Sequence, residues 1–199
     1  MQTLDEILFA NLDVTIGALS WLLVNLATHP AVQRKLYDEI QHAAASGRDN
    51  YIQASGTYLA HCISESARVR PIAAFSVPQR APTERIVSGW TIPAGTSVMV
   101  DAYGLNIRNP FWGQDGSLFR PERWTQLKPS ETRYNMWRFG FGPRMCMGRF
   151  LAETVLRMVV VELVRERELS VVEDDDRLIR VDPNSWITHP DVRIAYKSR

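Results

Sequence analysis

One stretch decides the fold: Phe139-Gly140-Phe141-Gly142-Pro143-Arg144-Met145-Cys146-Met147-Gly148. Its glycines and proline exclude a helix before Cys146, whereas Leu151, Val155 and Val159 recur at helical spacing after it. The cysteine therefore lies where a tight loop becomes a helix N-terminus. Unpaired backbone N–H groups and the positive end of the helix dipole both stabilise a thiolate at such a position. The stretch thus predicts a negatively charged sulfur ligand.

Most free cysteines are plain buried residues, and Cys146 taken alone fits that description too. Its surroundings favour another interpretation, because the spacing F-x-x-G-x-R-x-C-x-G resembles the haem-binding signature of the cytochrome P-450 family. The resemblance implies haem b as cofactor, with the Cys146 thiolate as its axial iron ligand. It also implies a propionate contact from Arg144, room for the flat macrocycle at Gly148, and a place for Phe139 beside the haem.

Length and composition fit a single globular domain of 199 residues, of which 45% are hydrophobic. The formal net charge of +1 provides no global basic field, so nucleic acid is not expected as a partner. The sequence has two cysteines, and Cys62 falls in a helical pattern as a core residue, so no disulfide framework is expected. The four histidines show no metal-ligand spacing.

The first segment, residues 4–27, is strongly apolar, and the run from Ile7 to Ala27 is about as long as a membrane span. Asp13 lies inside it, and a central Asp costs about 2.5 to 3.5 kcal/mol to insert into a bilayer. No basic segment precedes this run and no small-residue cleavage site follows it, as a signal peptide would require. A buried core helix is therefore favoured over a membrane anchor.

The remaining patterns predict a mainly α protein with small β-sheets. Further helices are expected from Pro30 to about Ser46, over 58–69 and over 147–167, with a loop between the first two. Short β-prone pieces alternate with proline and glycine before a short helix and a long irregular stretch. The strands are expected at 74–77, 85–87 and 97–100, the short helix at 101–107, the irregular stretch at 108–135, and closing hairpin strands at 169–172, 178–181 and 192–195.

Three charged residues resemble a known cluster of the family. Glu65 and Arg68 stand three apart on one predicted helix face, which by itself describes an ordinary surface pair. The segment Pro121-Glu122-Arg123-Trp124 resembles the family's P-E-R-F segment, with Trp where Phe is usual. The resemblance implies that Arg123 joins Glu65 and Arg68 behind the cysteine loop. It also implies a propionate contact from Arg80, for which a solvated loop arginine is the alternative.

The first helix resembles the helix that crosses the distal face of the haem, with two departures. Asn11 stands where the family has a glycine, and Val14 replaces an alcohol whose usual role is to support proton delivery to bound dioxygen. Asp13 and Thr15 are the polar groups left for that role. Asp13 is favoured, because each step along a helix turns a side chain by about 100°, which takes Thr15 away from the position of Val14.

The resemblance runs from about Leu4 to the C-terminus, and family members are more than twice this length. Residues 1–199 are therefore expected to be the C-terminal haem-binding portion of one domain whose N-terminal half is absent. By the family's layout, Ile72, Phe75, Trp186 and Ile187 are candidate substrate contacts, and their apolar character suits a lipophilic small molecule. A core role for the same residues is equally open.

The basic stretch 120–149 is expected to dock an acidic electron donor such as an NADPH-dependent reductase. Arg123 and Arg144 are expected to be occupied internally. The better candidates are Lys128, Arg133, Arg138 and Arg149.

The resemblance implies a monooxygenase that inserts one atom of O2 into a lipophilic substrate, in an intracellular setting, with the endoplasmic reticulum membrane expected for a longer parent. The sequence of residues 10–15 resembles that of family members from fungal secondary metabolism. Two alternatives stay open. One is a haem enzyme of the same fold that rearranges, dehydrates or couples its substrate, which the loss of the alcohol at Val14 favours. The other is a truncated fragment that binds haem without turnover.

Overall fold

The computed structural model describes residues 2–44, 48–172 and 187–199. Six α-helices and three two-stranded antiparallel sheets make up this part, so the prediction of a mainly α protein with small sheets is confirmed. The helices are α1 (Gln2–Thr28), α2 (Pro30–Ala44), α3 (Arg48–Gln53), α4 (Tyr58–Val69), α5 (Pro129–Thr132) and α6 (Arg149–Glu166). The strands are β1 (Gln79–Arg80), β2 (Arg85–Val87), β3 (Trp90–Ile92), β4 (Ser97–Val98), β5 (Arg167–Val171) and β6 (Ile194–Ser198).

The sheets pair β1 with β4, β2 with β3 and β5 with β6. Between β4 and α6 the chain forms a π-helical turn at Gly104–Arg108 and 3-10 turns at Pro110–Trp112, Pro121–Thr125 and Gly142–Arg144. The irregular stretch predicted at 108–135 is thus a series of short turns and the single-turn helix α5.

The hydrophobic core lies where α1, α2, α4 and α6 pack together, with α3 at its edge. Each of these helices contributes an apolar face, and most of the core side chains are almost fully withdrawn from water. Burial of this apolar surface is the main force that holds the helices together. Core residues include Leu22, Leu26, Leu36, Ile40, Leu59, Cys62, Ile63, Leu156, Val160, Val161 and Val164.

Helix α1 is buried over only part of its length. Trp21 and Leu26 are 2% and 0% exposed, as the prediction of a core helix requires. Leu12 and Ile16 are 62% and 52% exposed, so the prediction is wrong for this part of the helix, which has no core beneath it. Within the described ranges no single helix has the length and apolarity to cross a bilayer, and the pair Leu12–Thr28 and Pro30–Ala43 meets that test only when joined across a 106° bend.

Several element boundaries differ from the sequence expectations. The segment 48–53 forms helix α3 rather than a loop, and its residues Tyr51 and Ile52 join the core. The strand expected at 74–77 is reduced to an isolated bridge between Phe75 and Asp101. The expected end of α2 and the strand at 178–181 lie outside the described residues.

A buried glutamine ties the end of α1 to α2 and β5. Gln33 on α2 is 1% exposed, and its side-chain Nε2 donates to the carbonyls of Leu26 and Leu169, each at 3.0 Å. Its Oε1 accepts from the backbone N–H of Leu169 at 2.8 Å. These bonds satisfy backbone groups in the last turn of α1 and on the edge of β5 that does not pair with β6.

Replacing Gln33 with leucine should destabilise the fold by about 1 to 3 kcal/mol, because it leaves buried backbone groups without partners. The measurement is the free energy of unfolding in urea. Gln41→Leu, an exposed position on the same helix, is the matched control and should change stability little. Equal effects in the two variants would contradict the bridging role.

Candidate active site

The cysteine loop is a tight hairpin that presents the thiol of Cys146 to solvent. The N–H of Cys146 donates to the carbonyl of Phe139 at 2.8 Å, which closes the loop around a 3-10 turn. Phe139 has a φ of +63°, and Gly140 and Gly142 also have positive φ values. A non-glycine residue in this region costs roughly 1 to 3 kcal/mol, and such strain persists where surrounding contacts enforce it.

The two free cysteines have opposite environments. Cys146 is exposed in the loop, whereas Cys62 is 0% exposed in the core. Burial raises the pKa of the Cys62 thiol well above its usual value, and the nearby carboxylates of Glu122 and Glu39 raise it further. Cys62 is therefore an inert core residue, as its helical pattern predicts.

Helix α6 follows the loop and begins at Arg149, two residues later than expected. Gly148 occupies the N-cap position with a φ of −79°, and its carbonyl accepts from the N–H of Ala152 at 2.9 Å. The thiol therefore precedes the first turn of α6 and is not part of it. This places the sulfur just before the helix N-terminus, as the sequence predicts.

A cleft of about 400 Å³ lies between the cysteine loop and α1. This volume is within the range of about 300 to 1,000 Å³ that is typical of small-molecule sites. Cys146 lines one side, and Val14, Thr15 and Ala18 of α1 line another. Most other lining residues are apolar. They include Trp21, Leu22, Ile63, Ala67, Pro71, Ala73, Val77, Ala102 and Leu156.

Half of the predicted site residues lie on this cleft, including Cys146 and Thr15. Arg144 and Phe139 line it, and so do the substrate-contact candidates Ile72, Phe75 and Ile187. The remaining members are placed elsewhere. Arg80 is exposed and lines an adjoining cavity of about 230 Å³, Gly148 is not among the lining residues, and Trp186 lies outside the described residues.

The polar groups of α1 are not arranged as the sequence predicts. Thr15 lines the cleft beside Val14 although α1 is continuous, so the helix face on the cleft is wide enough to include both positions. Asp13, the favoured residue, is not among the lining residues, and its Oδ1 lies 2.9 Å from Nε2 of His189. The side chain of Asn11 lies outside the described part of the chain.

Behind the loop, Glu65, Arg68 and Arg123 form a buried charge cluster. Their side chains are 0%, 0% and 5% exposed. Glu65 accepts from Nη2 of Arg68 and from Nε of Arg123, each at 2.8 Å. Arg123 also lies 3.4 Å from Asp115, a partly exposed carboxylate that offsets the charge of the second guanidinium. The structure thus brings together the three residues that the resemblance groups.

One buried asparagine connects the charge cluster to the cysteine loop. Arg68 Nη1 donates to the carbonyl of Asn106 at 2.8 Å. The side-chain amide of Asn106 donates to the carbonyl of Trp137 at 3.0 Å and accepts from the N–H of Trp137 at 2.6 Å. Because Trp137 lies two residues before Phe139, this two-bond bridge fixes the point at which the strained loop begins.

A contact of Trp124 explains why tryptophan replaces the usual phenylalanine of the family's P-E-R-F segment. Its indole Nε1 donates to Oε2 of Glu65 at 2.8 Å. Phenylalanine has no such donor. Trp124 thus supplies a hydrogen bond to the same carboxylate that holds Arg68 and Arg123.

An ion pair closes the cysteine loop at its base. Arg138 precedes the loop and lies 2.6 Å from Glu153, which is on the second turn of α6. Burial lowers the pKa of the Arg138 guanidinium, and Glu153 opposes that shift. Arg157, four residues after Glu153, donates to the carbonyls of Ile52 and Ala54 and so ties α6 to α3. The two ends of the loop are held together by charge as well as by backbone bonds.

Comparisons with known proteins identify the family of this chain. The sequence profile of the family Cytochrome P-450 matches residues 1–196. The chain belongs to the cytochrome P-450 family. Its fold is similar to that of a solved zebrafish cytochrome P-450 with abiraterone, at 23% identity and a TM-score of 0.78 over 96% of this chain and 46% of that one.

Curated cytochrome P-450 relatives from Aspergillus are similar along almost the whole chain. The monooxygenase asaD of Aspergillus flavus is 50% identical over 97% of the chain and 37% of its own length. The monooxygenase aclC of Aspergillus oryzae is 51% identical over 100% of the chain and 41% of its length, and gliC of Aspergillus fumigatus is 44% identical over 98% and 38%. The chain therefore spans about two fifths of these relatives.

The residues present fit a haem. An exposed thiol, which is a good iron ligand as thiolate, faces an apolar cleft, and the small side chain of Ala18 lies on the α1 side. Arg70 and Arg144 also line the cleft, where their guanidinium groups can neutralise the carboxylates of a haem. Among the described residues, no cluster of His, Cys, Asp and Glu forms an alternative metal site.

Sequence reasoning missed several residues that shape the site. Arg70 lines the cleft with its guanidinium 4.6 Å from the Trp21 ring, and Trp137 lines both cavities. Arg70 directly follows the helix that carries Glu65, and Trp137 lies two residues before Phe139 of the cysteine loop. These positions were the signals that the sequence offered for them. Arg138 is paired with Glu153, so its expected role as an exposed docking cation is wrong.

Replacing Trp124 with phenylalanine should lower the free energy of unfolding by about 1.5 to 3 kcal/mol, because a hydrogen bond to a buried carboxylate is lost. Urea denaturation gives the value. The control is Trp90→Phe, at a side chain that is 75% exposed and should tolerate the change. A Trp124→Phe protein as stable as the control would show that the indole bond adds nothing.

Proposed function

We propose that this chain carries the haem-thiolate centre of a monooxygenase that inserts one atom of O2 into a lipophilic small molecule. The observation that supports this most strongly is the cleft itself, since the exposed Cys146 and the hydroxyl-bearing Thr15 line the same apolar space from different elements. A thiolate on one side and a proton-holding group on the other suit oxygen activation.

The cofactor of this proposal is haem b with Cys146 as axial ligand. When bound, the haem supplies the activation of dioxygen, which the thiolate promotes by donating electron density. Arg144 and Arg80 are assigned to the propionates, since both are exposed cations on the cleft and its adjoining cavity. Phe139 is assigned to the cleft wall beside the ligand, and Gly148 to the space that the macrocycle needs.

Apolar side chains on the cleft support a lipophilic substrate. Ile72 and Ile187 are half-buried and Phe75 is 48% exposed, so all three are available to a ligand. These exposures favour substrate contact over the core role that the sequence leaves open. The relatives come from Aspergillus species and are named monooxygenases, which supports a fungal enzyme, and we place the activity in secondary metabolism.

Thr15 favours the monooxygenase over a rearranging enzyme of the same fold. The loss of an alcohol at Val14 was the reason to consider rearrangement, dehydration or coupling. Thr15 supplies a hydroxyl on the cleft in place of the missing one. That hydroxyl can hold a proton or a water molecule within hydrogen-bond reach of the reacting atoms.

Electrons are proposed to come from an NADPH-dependent reductase that docks near the cysteine loop. Lys128 and Arg133 are exposed on the segment that leads into the loop, and Arg149 opens α6 with its guanidinium 3.3 Å from the carbonyl of Cys146. Arg123 is excluded by its burial. An acidic donor would be attracted to the remaining cations over a distance set by ionic strength.

The experiment that tests the cofactor compares two cysteine variants. Cys146→Ser should abolish the red-shifted absorption band of the reduced carbon monoxide complex, because that band requires thiolate ligation. Cys62→Ser, in the core, should leave the band in place. Loss of the band in both variants, or retention in both, would sink the assignment of Cys146.

Reversing the charge at Lys128 or Arg133 to glutamate should slow reduction of the haem iron several-fold at low salt. The difference should vanish in about 1 M salt, where screening acts within about 3 Å. The measurement is the stopped-flow rate of reduction by reductase at several ionic strengths. Arg85→Glu, at an exposed arginine of β2, is the control, and an equal effect there would count against this docking face.

A further inference from the structure

Helix α1 has two neighbouring stripes, one on the cleft and one on the C-terminal segment, and Trp21 contacts both. Val14, Ala18 and Leu22 recur every four residues and line the cleft. The adjacent stripe, Asp13, Gly17 and Trp21, recurs with the same spacing and meets the segment 187–189. Asp13 therefore faces the C-terminal segment and not the cleft.

The segment 187–189 rests directly on this second stripe. The indole Nε1 of Trp21 donates to the carbonyl of Thr188 at 2.9 Å. A Cβ placed on Gly17 would lie 3.0 Å from Cγ2 of Ile187 and 3.2 Å from the carbonyl oxygen of Thr188. At the end of the stripe, Oδ1 of Asp13 lies 2.9 Å from Nε2 of His189.

The other side of the segment is bound to the residues that follow α4. The N–H of Thr188 donates to the carbonyl of Ile72 at 2.9 Å, and its hydroxyl donates to the carbonyl of Pro71 at 3.2 Å. Ile187, Ile72 and Pro71 all line the cleft. The segment is thus a wall of the cleft, clamped between α1 and residues 71–72.

We infer that Asp13 and His189 form a latch that positions this wall and so sets which ligands the cleft accepts. The two side chains are 51% and 25% exposed, and an ion pair so open to solvent adds little to global stability. Nε2 can donate to the carboxylate whether the imidazole is neutral or charged. The latch therefore acts on the position of Ile187 and Thr188 without being needed to fold the chain. Both are positioning residues.

The inference rests on the proposed function only for its spectroscopic signal. The affinity of a ligand that reaches the wall should depend on the latch, whereas the affinity of a small ligand should not. Imidazole and 4-phenylimidazole are suitable probes, because both bind haem iron through a nitrogen and differ by one phenyl ring. The measured quantity is the ratio of their dissociation constants, taken from absorption titrations of the haem-loaded protein.

Asp13→Ala and His189→Ala should each change this ratio by about two- to fivefold, the range that an exposed ion pair supplies. The double variant should match the single ones, because a pair that acts as a unit can be broken only once. His189→Gln, which keeps a side-chain N–H donor, should restore the ratio towards the original value. Asp191→Ala is the matched control at an exposed acid on the same segment and should leave the ratio unchanged.

A second measurement needs no haem and separates this inference from the proposed function. Amide hydrogen exchange at Thr188, whose N–H is bonded to Ile72, should accelerate in Asp13→Ala and His189→Ala and stay unchanged in Asp191→Ala. A failed thiolate spectrum with accelerated exchange would overturn the haem assignment and leave the latch standing. Unchanged exchange, or effects of Asp13→Ala and His189→Ala that add in the double variant, would overturn the latch.

Discussion

The structure depends on one buried carboxylate. Glu65 is fully withdrawn from water and accepts hydrogen bonds from Arg68, Arg123 and Trp124 side chains and from the N–H of Arg120. An uncompensated charge in this position would be strongly destabilising, so the folded state depends on this set of donors. One side chain on α4 thereby fixes the long irregular stretch that no apolar stripe could organise.

That constraint reaches the reactive sulfur through a short series of bonds. Arg68 holds the carbonyl of Asn106, Asn106 holds the backbone of Trp137, and Phe139 then enters a strained conformation whose carbonyl receives the N–H of Cys146. Strain of this kind persists only where surrounding structure over-determines it. The charge cluster and the cysteine loop are therefore parts of one support, although they lie far apart in the sequence.

The sequence predicted what local rules control and missed what three-dimensional placement controls. Helices α2, α4 and α6 follow from apolar spacing with proline and glycine boundaries, and the loop around Cys146 follows from its glycines and its motif. The positions of Asp13 and Thr15 relative to the cleft did not follow, because the width of the helix face on the cleft depends on what packs against α1. Arg138 reads as one more surface cation until its partner Glu153, which lies beyond the loop, is known.

Because Gly17 has no side chain, α1 packs directly against the wall at Ile187 and Thr188. Any methyl group there would have to push helix and wall apart by a few tenths of an ångström or more. The width of the cleft is thus set at Gly17, which does not line the cleft. Substitution of Gly17, in nature or in the laboratory, could therefore change the width of the cleft from outside its lining.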